Sequence, residues 1–237
     1  MAMLGASAAS DVRCEVHLAR LRCLQSHHPA LLDEGEARRR AQFRLDADRD
    51  RFTLATVLLR ALVAQRTNVS FAAATIDRTC DRCGKAHGRP RLAQPGLEAS
   101  ISHAGEVVAV GLTTAGPVGV DVEVVGRGEY ESLIASVCTT TEQAHVRGPR
   151  DFYAYWARKE AVLKATGEGL RRPMTDLVVT PPHSAPVLLA LGPASSPPLC
   201  RMTDVPAGDE YVGAVAVLGA AVVEFAIVDA SCLLSEL

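Results

Sequence analysis

"AGPVGVDVEVVG" (residues 115–126) alternates Val118, Val120, Val122 and Val124 with Gly119, Asp121 and Glu123. A period of two is the pattern of a β-strand, here with one apolar and one acidic face. The two carboxylates leave the same face, with Cα atoms roughly 6–7 Å apart. Like charges this close repel unless a cation or hydrogen-bond donors lie between them. Such an oxygen-rich face suits Mg²⁺, which takes one or two carboxylates together with water and substrate phosphate. The alternative is a solvent-facing strand that merely carries two acids.

Some thirty residues on, "DFYAYWARKEAVLKATGEGL" (151–170) is the best helical pattern in the chain, over 152–166. Phe152, Trp156 and Leu163 form an apolar stripe flanked by Tyr155 and Val162. Glu160 and Lys164, four apart, share one edge of that stripe, whereas Lys159 projects toward its buried middle. Lys85, Lys159 and Lys164 are the only lysines; the other 22 of the 25 cationic side chains are arginine. Arginine's very high pKa makes it a poor proton donor, whereas a lysine ammonium is a compact charge that can be tuned. Lysine kept in an arginine-rich chain therefore points to a role arginine cannot fill. A surface ion pair with a snorkelling lysine is the plainer alternative.

Outward from these two segments the chain reads as two runs of helix followed by strands. "GEARRRAQFRLDADRDRFTLATVLLRALVAQR" (35–66) gives a basic turn or short helix, then a long amphipathic helix with Phe52, Ala55, Leu59 and Leu62 on one face. "CDRCGKAHGRPRL" (80–92) is turn-rich, and "LEASISHAGEVVAVGLTT" (97–114) suits a hairpin. The stretch from 129 to 147 is predicted helical, and 180–200 is a proline-rich connection with one short strand. The junction falls near Thr114–Pro117. This predicts an α+β fold of two α/β lobes, 1–115 and 116–237.

Composition narrows the class. The chain has 237 residues, 48% of them hydrophobic and 22% charged, which is soluble globular usage with material for a real core. A net charge of −2 argues against wholesale nucleic-acid binding. "MAMLGASAAS" lacks the features of a signal peptide. "YVGAVAVLGAAVVEFAIV" (211–228), interrupted by Gly213, Gly219 and Glu224, reads as two buried strands rather than a membrane span. Seven scattered cysteines suggest reduced thiols and a cytoplasmic protein. Cys80 and Cys83 with His87 resemble a zinc half-site, but no second half-site follows, so turn cysteines are the default reading.

"VGVDVE" (118–123) followed by "FYAYWARKEAVLKATGEGL" (152–170) resembles the paired signature of 4′-phosphopantetheinyl transferases, the second stretch fitting their W-x-x-K-E-A-x-x-K pattern. "SISHAG" (100–105), "GRPRL" (88–92) and the basic "EARRRAQF" (36–43) are similar to further family segments, so the likeness covers about residues 35–180. The length matches the Sfp-type members, monomers of two similar lobes in a pseudo-dimeric fold. The resemblance implies transfer of phosphopantetheine from coenzyme A to a serine of an acyl or peptidyl carrier protein, releasing 3′,5′-ADP. Carrier domains of fatty acid, polyketide or nonribosomal peptide synthases would be the partners, with neither nucleic acid nor membrane.

By motif position, the resemblance implies that Asp121, Glu123 and Glu160 hold Mg²⁺ or Mn²⁺. Lys164 would contact the phosphates and assist the departing 3′,5′-ADP, Glu160 would take the serine proton, and His103 would bind phosphate beside Ser102. Arg39 and Arg51 fall where the family places cations for the 3′-phosphate, Arg89 and Pro90 where it places the adenine, and Lys159 is carried over as a ligand contact. The sequence departs from the family at "SVCTTTEQ" (136–143), where Val137 and Cys138 replace aromatic residues and Glu142 takes the position of an acid. Two other readings stand beside this one: a non-catalytic module that binds carrier proteins or coenzyme A, and another Mg²⁺-dependent phosphate-cleaving enzyme. Three acids brought together count against the first, and the lack of a P-loop against the second.

Overall fold

The computed structural model describes residues 12–126, 130–193 and 196–237, and of His87 only the backbone. The N-terminal ten residues and the His87 side chain, both considered above, lie outside the described residues. Among the described residues, eleven strands and six α-helices follow in the order β1 (Arg13–Arg20), α1 (Glu34–Ala41), α2 (Asp46–Thr67), β2 (Ile76–Thr79), β3 (Ala86–Leu92), β4 (Glu98–Ala104), β5 (Val107–Thr113) and β6 (Val118–Val124). The chain continues through α3 (Tyr130–Val137), α4 (Thr140–Gln143), α5 (Pro149–Thr166), β7 (Leu177–Val179), β8 (Leu188–Leu191), β9 (Cys200–Asp204), β10 (Tyr211–Leu218), β11 (Glu224–Asp229) and α6 (Ser231–Ser235). The fold is mixed α+β.

Two sheets carry the core, one ordered β11-β1-β5-β4 and the other β6-β10-β9. Alternation along each strand sorts side chains into separate layers. On β5, Val108, Val110 and Leu112 face α2, where Leu54, Leu58, Leu59 and Leu62 complete one core. Val107 and Ala109, on the opposite face, join Cys14 and Val16 of β1 and meet Val118, Val120 and Val122 of β6 and Val215 and Val217 of β10. Ala214 and Ala216 of β10 turn the other way, against Phe152, Tyr155, Val162 and Leu163 of α5. The order is thus helix, sheet, sheet, helix. Each fully buried Leu or Phe contributes about 1.5–3 kcal/mol of apolar burial.

The sheets meet at the edges β4 and β6, where serine hydroxyls stand in for a backbone ladder. Ser100 Oγ accepts from Val120 N (3.0 Å) and Ser102 Oγ from Val122 N (3.3 Å). The β4–β5 hairpin turns on Gly105 at φ +52, with Ala104 paired to Val107. Glycine is required there, since the positive φ is strained for other residues and a Cβ would lie 2.7 Å from Tyr211 Oη. Residues 211–228 do form two strands, but these belong to different sheets: β10 joins β6, and β11 crosses to run parallel to β1.

Two local expectations change. Residues 129–147 are not one helix; the chain breaks at Cys138–Thr139, where Thr139 accepts from Glu142 N and Glu142 returns a bond to Thr139 N, a capping box that starts α4. The segment read as turn-rich contains β3 despite Pro90. That strand pairs with β2 alone and shifts register between Asp77 and Thr79, and an edge with a bulge tolerates a residue lacking an N–H.

Candidate functional site

Gly119 brings the two signature segments together. A Cβ at this position would lie 1.9 Å from the carbonyl oxygen of Ala161 and 2.6 Å from the amide of Ala165. The backbone of α5 therefore lies directly on β6, an approach only glycine allows. Proline at the first turn of α5 and Gly167 in the left-handed region at its end (φ +75) fix the extent of the helix. Glu160 and Lys164 are thereby held over the acidic face of β6.

That face is not solvated. Asp121 is 3% exposed, so the reading of a strand with two surface acids fails. Asp121 Oδ1 accepts from Lys164 Nζ (2.6 Å) and Ser102 Oγ (2.9 Å). Lys164 Nζ also donates to Ser102 Oγ and to the Val120 carbonyl, both at 3.0 Å. The second oxygen, Asp121 Oδ2, is buried with no hydrogen-bond partner. Glu123, two residues on, has its pKa pushed up to about 7, first by burial and then by the charge of Asp121; Lys164 and the Trp156 indole N–H oppose the rise. Burial and Asp121 also raise the pKa of Glu160, with Lys164 opposing. A buried carboxylate oxygen left without a donor, beside two carboxyls that resist ionisation, is a donor set suited to a hard divalent cation. Among the described residues no three His, Cys, Asp or Glu side chains are already drawn into a closed metal group.

These groups open onto a cleft of about 600 Å³, lined among others by Arg78, Arg89, Pro90, Ser102, His103 and Trp156. His103 opens onto the cleft, where crowding by the walls lowers its pKa and the charges of Arg51 and Lys164 lower it further. Beyond Gly88–Pro90 and Gly167–Leu170 the cleft continues into a larger groove of about 1080 Å³, walled by the β2–β3 hairpin.

The sequence match falls on this same segment: the family model described as the 4′-phosphopantetheinyl transferase superfamily matches residues 117–216. Residues 117–216 thus carry a likeness to the 4′-phosphopantetheinyl transferase superfamily. Among curated proteins the chain is 28% identical over 221 residues to the 4′-phosphopantetheinyl transferase HetI of Nostoc sp., covering 86% of this chain and 88% of that one. It is 30% identical over 160 residues to a phosphopantetheinyl transferase of Thraustochytrium sp., covering 59% of this chain and 54% of the relative. To the human L-aminoadipate-semialdehyde dehydrogenase-phosphopantetheinyl transferase it is 29% identical over 154 residues, covering 57% and 48%. The chain spans about half the length of these last two.

In this chain Asp121, Glu123, Glu160, Lys164, Ser102, His103, Arg89 and Pro90 line one cleft. Arg39 and Arg51 are not among its lining residues. Arg39 donates to Gln42 Oε1 (3.2 Å) and lies over the Phe43 ring, and Arg51 donates to Gly105 O and Asp48 Oδ1, both at 2.7 Å. Arg51 still makes itself felt at His103 through its charge.

The expectation for Lys159 as a ligand contact is corrected. Its side chain is 0% exposed, and Nζ donates to Glu142 Oε2 (2.5 Å), Val137 O (2.7 Å) and Met174 O (3.1 Å), which uses all three protons. Glu142 is likewise committed, accepting from Thr139 N (2.8 Å) and Val179 N (3.0 Å). Ser102 is engaged with Asp121, Lys164 and β6 rather than turned to the cleft alone. Sequence reasoning missed Trp156 as a partner of Glu123, Ser100 as a seam residue, and Arg78, whose burial pulls its pKa down beside the cleft. The glycine within a valine strand was the available signal for the close approach of α5; nothing in "IDRT" marked Arg78.

Proposed function

We propose that this protein transfers the 4′-phosphopantetheine group of coenzyme A to a serine of acyl or peptidyl carrier proteins, releasing 3′,5′-ADP, with Mg²⁺ or Mn²⁺. The observation that carries the reading is the Ser102–Asp121–Lys164 cluster with its donorless Asp121 Oδ2, set between Glu123 and Glu160 at the head of a long cleft. Asp121, Glu123 and Glu160 would hold the metal, which when bound neutralises charge on the pyrophosphate. Lys164, hydrogen-bonded at the Asp121 edge, would hold an oxygen of the bridging phosphates and give a proton to the departing 3′,5′-ADP. Glu160, whose raised pKa favours holding a proton, accepts the one released by the attacking serine hydroxyl. His103, Ser102, Arg89 and Pro90 orient coenzyme A, and Arg51, whose charge reaches His103, and Arg39, whose charge reaches Arg78, add positive charge for its 3′-phosphate.

The reading extends to a cytoplasmic monomer of two similar, pseudo-dimeric lobes (1–115 and 116–237) serving fatty acid, polyketide or nonribosomal peptide carriers. No helix among the described residues is long and apolar enough to cross a membrane. The test is intact-protein mass spectrometry of a panel of apo-carriers incubated with coenzyme A, Mg²⁺ and the protein. A gain of one phosphopantetheine on any carrier supports the proposal. No gain on any, with coenzyme A binding demonstrated, rejects it in favour of a binding module.

A further inference from the structure

The tip of the β2–β3 hairpin carries a second reactive constellation that the transfer chemistry does not use. Cys80 and Cys83 flank Asp81 and Arg82 in the turn between the two strands, closed by Gly84 N to Cys80 O (2.9 Å) and Cys80 N to Lys85 O (2.8 Å). Gly84 takes φ +68, which lets the chain fold back on itself. In this turn the backbone N–H groups of Arg82 and Cys83 both point at the Cys80 sulfur, and the two cysteine side chains are within hydrogen-bonding reach of each other. Donors aimed at a sulfur favour its thiolate, the form that attacks. The other cysteines offer a contrast: burial pushes Cys14 and Cys200 up to about 12 and Cys138 up to about 11, whereas these backbone bonds hold Cys80 below the usual thiol value. Both Cys80 and Cys83 line the wall of the larger groove, so small molecules reach them.

We propose that Cys80 is a thiol–disulfide exchange site for low-molecular-weight disulfides, with Cys83 as the resolving thiol. The Cys80 thiolate attacks one sulfur of the small disulfide; a mixed disulfide forms, the original sulfur–sulfur bond breaks, and the first small thiolate leaves and takes up a proton. Cys83, losing its proton, then attacks Cys80 Sγ; the Cys80–Cys83 bond forms and the second small thiol leaves. Two protein thiols are oxidised and one small disulfide is reduced to two thiols.

The test uses the intact, reduced protein with glutathione disulfide as probe, followed by intact mass and peptide mapping. The wild type is expected to lose two hydrogens, mapped to a Cys80–Cys83 disulfide. Cys83→Ser is expected to stop at one glutathionyl group on Cys80, and Cys80→Ser to block the hairpin reaction. Cys232, exposed on α6, serves as the internal reference, and Cys80 should react at least about tenfold faster. Equal rates at Cys80 and Cys232, or first attachment at Cys83, would overturn the assignment. So would one equivalent of zinc bound by the purified protein and lost in Cys80→Ser. Because the readout is mass on the hairpin, failure here leaves the transfer reaction untouched.

Discussion

The ammonium groups of Lys159 and Lys164, five residues apart on one helix, are held by carboxylates in different layers: Glu142 at 2.5 Å within the core, and Asp121 at 2.6 Å on the floor of the cleft. One lysine secures the helix to α4 and the loop at Met174; the other faces the cleft.

Removing the first should therefore act on stability. Lys159→Met leaves the Glu142 carboxylate buried without its counter-charge, and breaking such a pair costs about 3–5 kcal/mol. Urea unfolding should show the midpoint falling accordingly, while the folded fraction retains its affinity for coenzyme A.

Lys164 should act on both stability and rate. Lys164→Met also leaves the buried Asp121 carboxylate without its counter-charge and should lower the unfolding midpoint, but in the folded fraction it should in addition lower kcat by about 10²–10³-fold. Lys164→Arg keeps the charge but not the compact, transferable proton and should still slow transfer about tenfold. Wild-type rates in the arginine variant would remove the argument for a proton donor at this position.

Metal and pH should be linked through Glu123. Burial and Asp121 raise its carboxyl from 4.5 to about 7, so the folded protein favours the protonated form. That contribution to stability is fully present below about pH 4.5, is lost as pH rises toward 7, and stays lost above it. A divalent cation offsets the repulsion only where the carboxylate is ionised. Saturating Mg²⁺ should therefore raise Tm more at pH 8 than at pH 5.5 in thermal scans, and Glu123→Gln should flatten the difference.

The close approach at Gly119 gives a paired test. Gly119→Ala must push α5 off β6 and should cost about 1–3 kcal/mol or more, with a loss of transfer. Gly111→Ala is the control: its Cβ would meet Val118 Cγ2 at 3.5 Å, an ordinary contact, and should be tolerated.

The seam serines separate structure from chemistry. Ser100→Ala and Ser102→Ala each strip a partner from a β6 amide, a loss of about 1–3 kcal/mol. Only Ser102 also touches Asp121 and Lys164, so only Ser102→Ala should lower kcat in steady-state kinetics.

The sequence made the site's membership legible better than its wiring. The period-two run at 118–124 and the stripe at 152–163 gave the strand, the helix and their acids, because alternation and helical spacing follow directly from backbone geometry. The burial of Lys159 was visible in its angle on the helix, but its partner Glu142 lies 17 residues upstream in α4, a short helix that only the capping box at Thr139 announces. The division of residues 211–228 between two sheets could not be read, since pairing partners are chosen by tertiary packing rather than by the pattern of a strand. The same holds for Arg78, brought to the cleft by a short edge strand with no pattern of its own.

The parallel pairing of Arg13–Arg20 with Glu224–Asp229 bears on how the protein is made. During synthesis β1 emerges long before β11, its second neighbour, exists. Contacts so distant in sequence slow folding and leave a strand edge open in the meantime. Slowing elongation should therefore prolong the life of a partly built first sheet, and Val16 and Leu18 are the residues a chaperone would meet there.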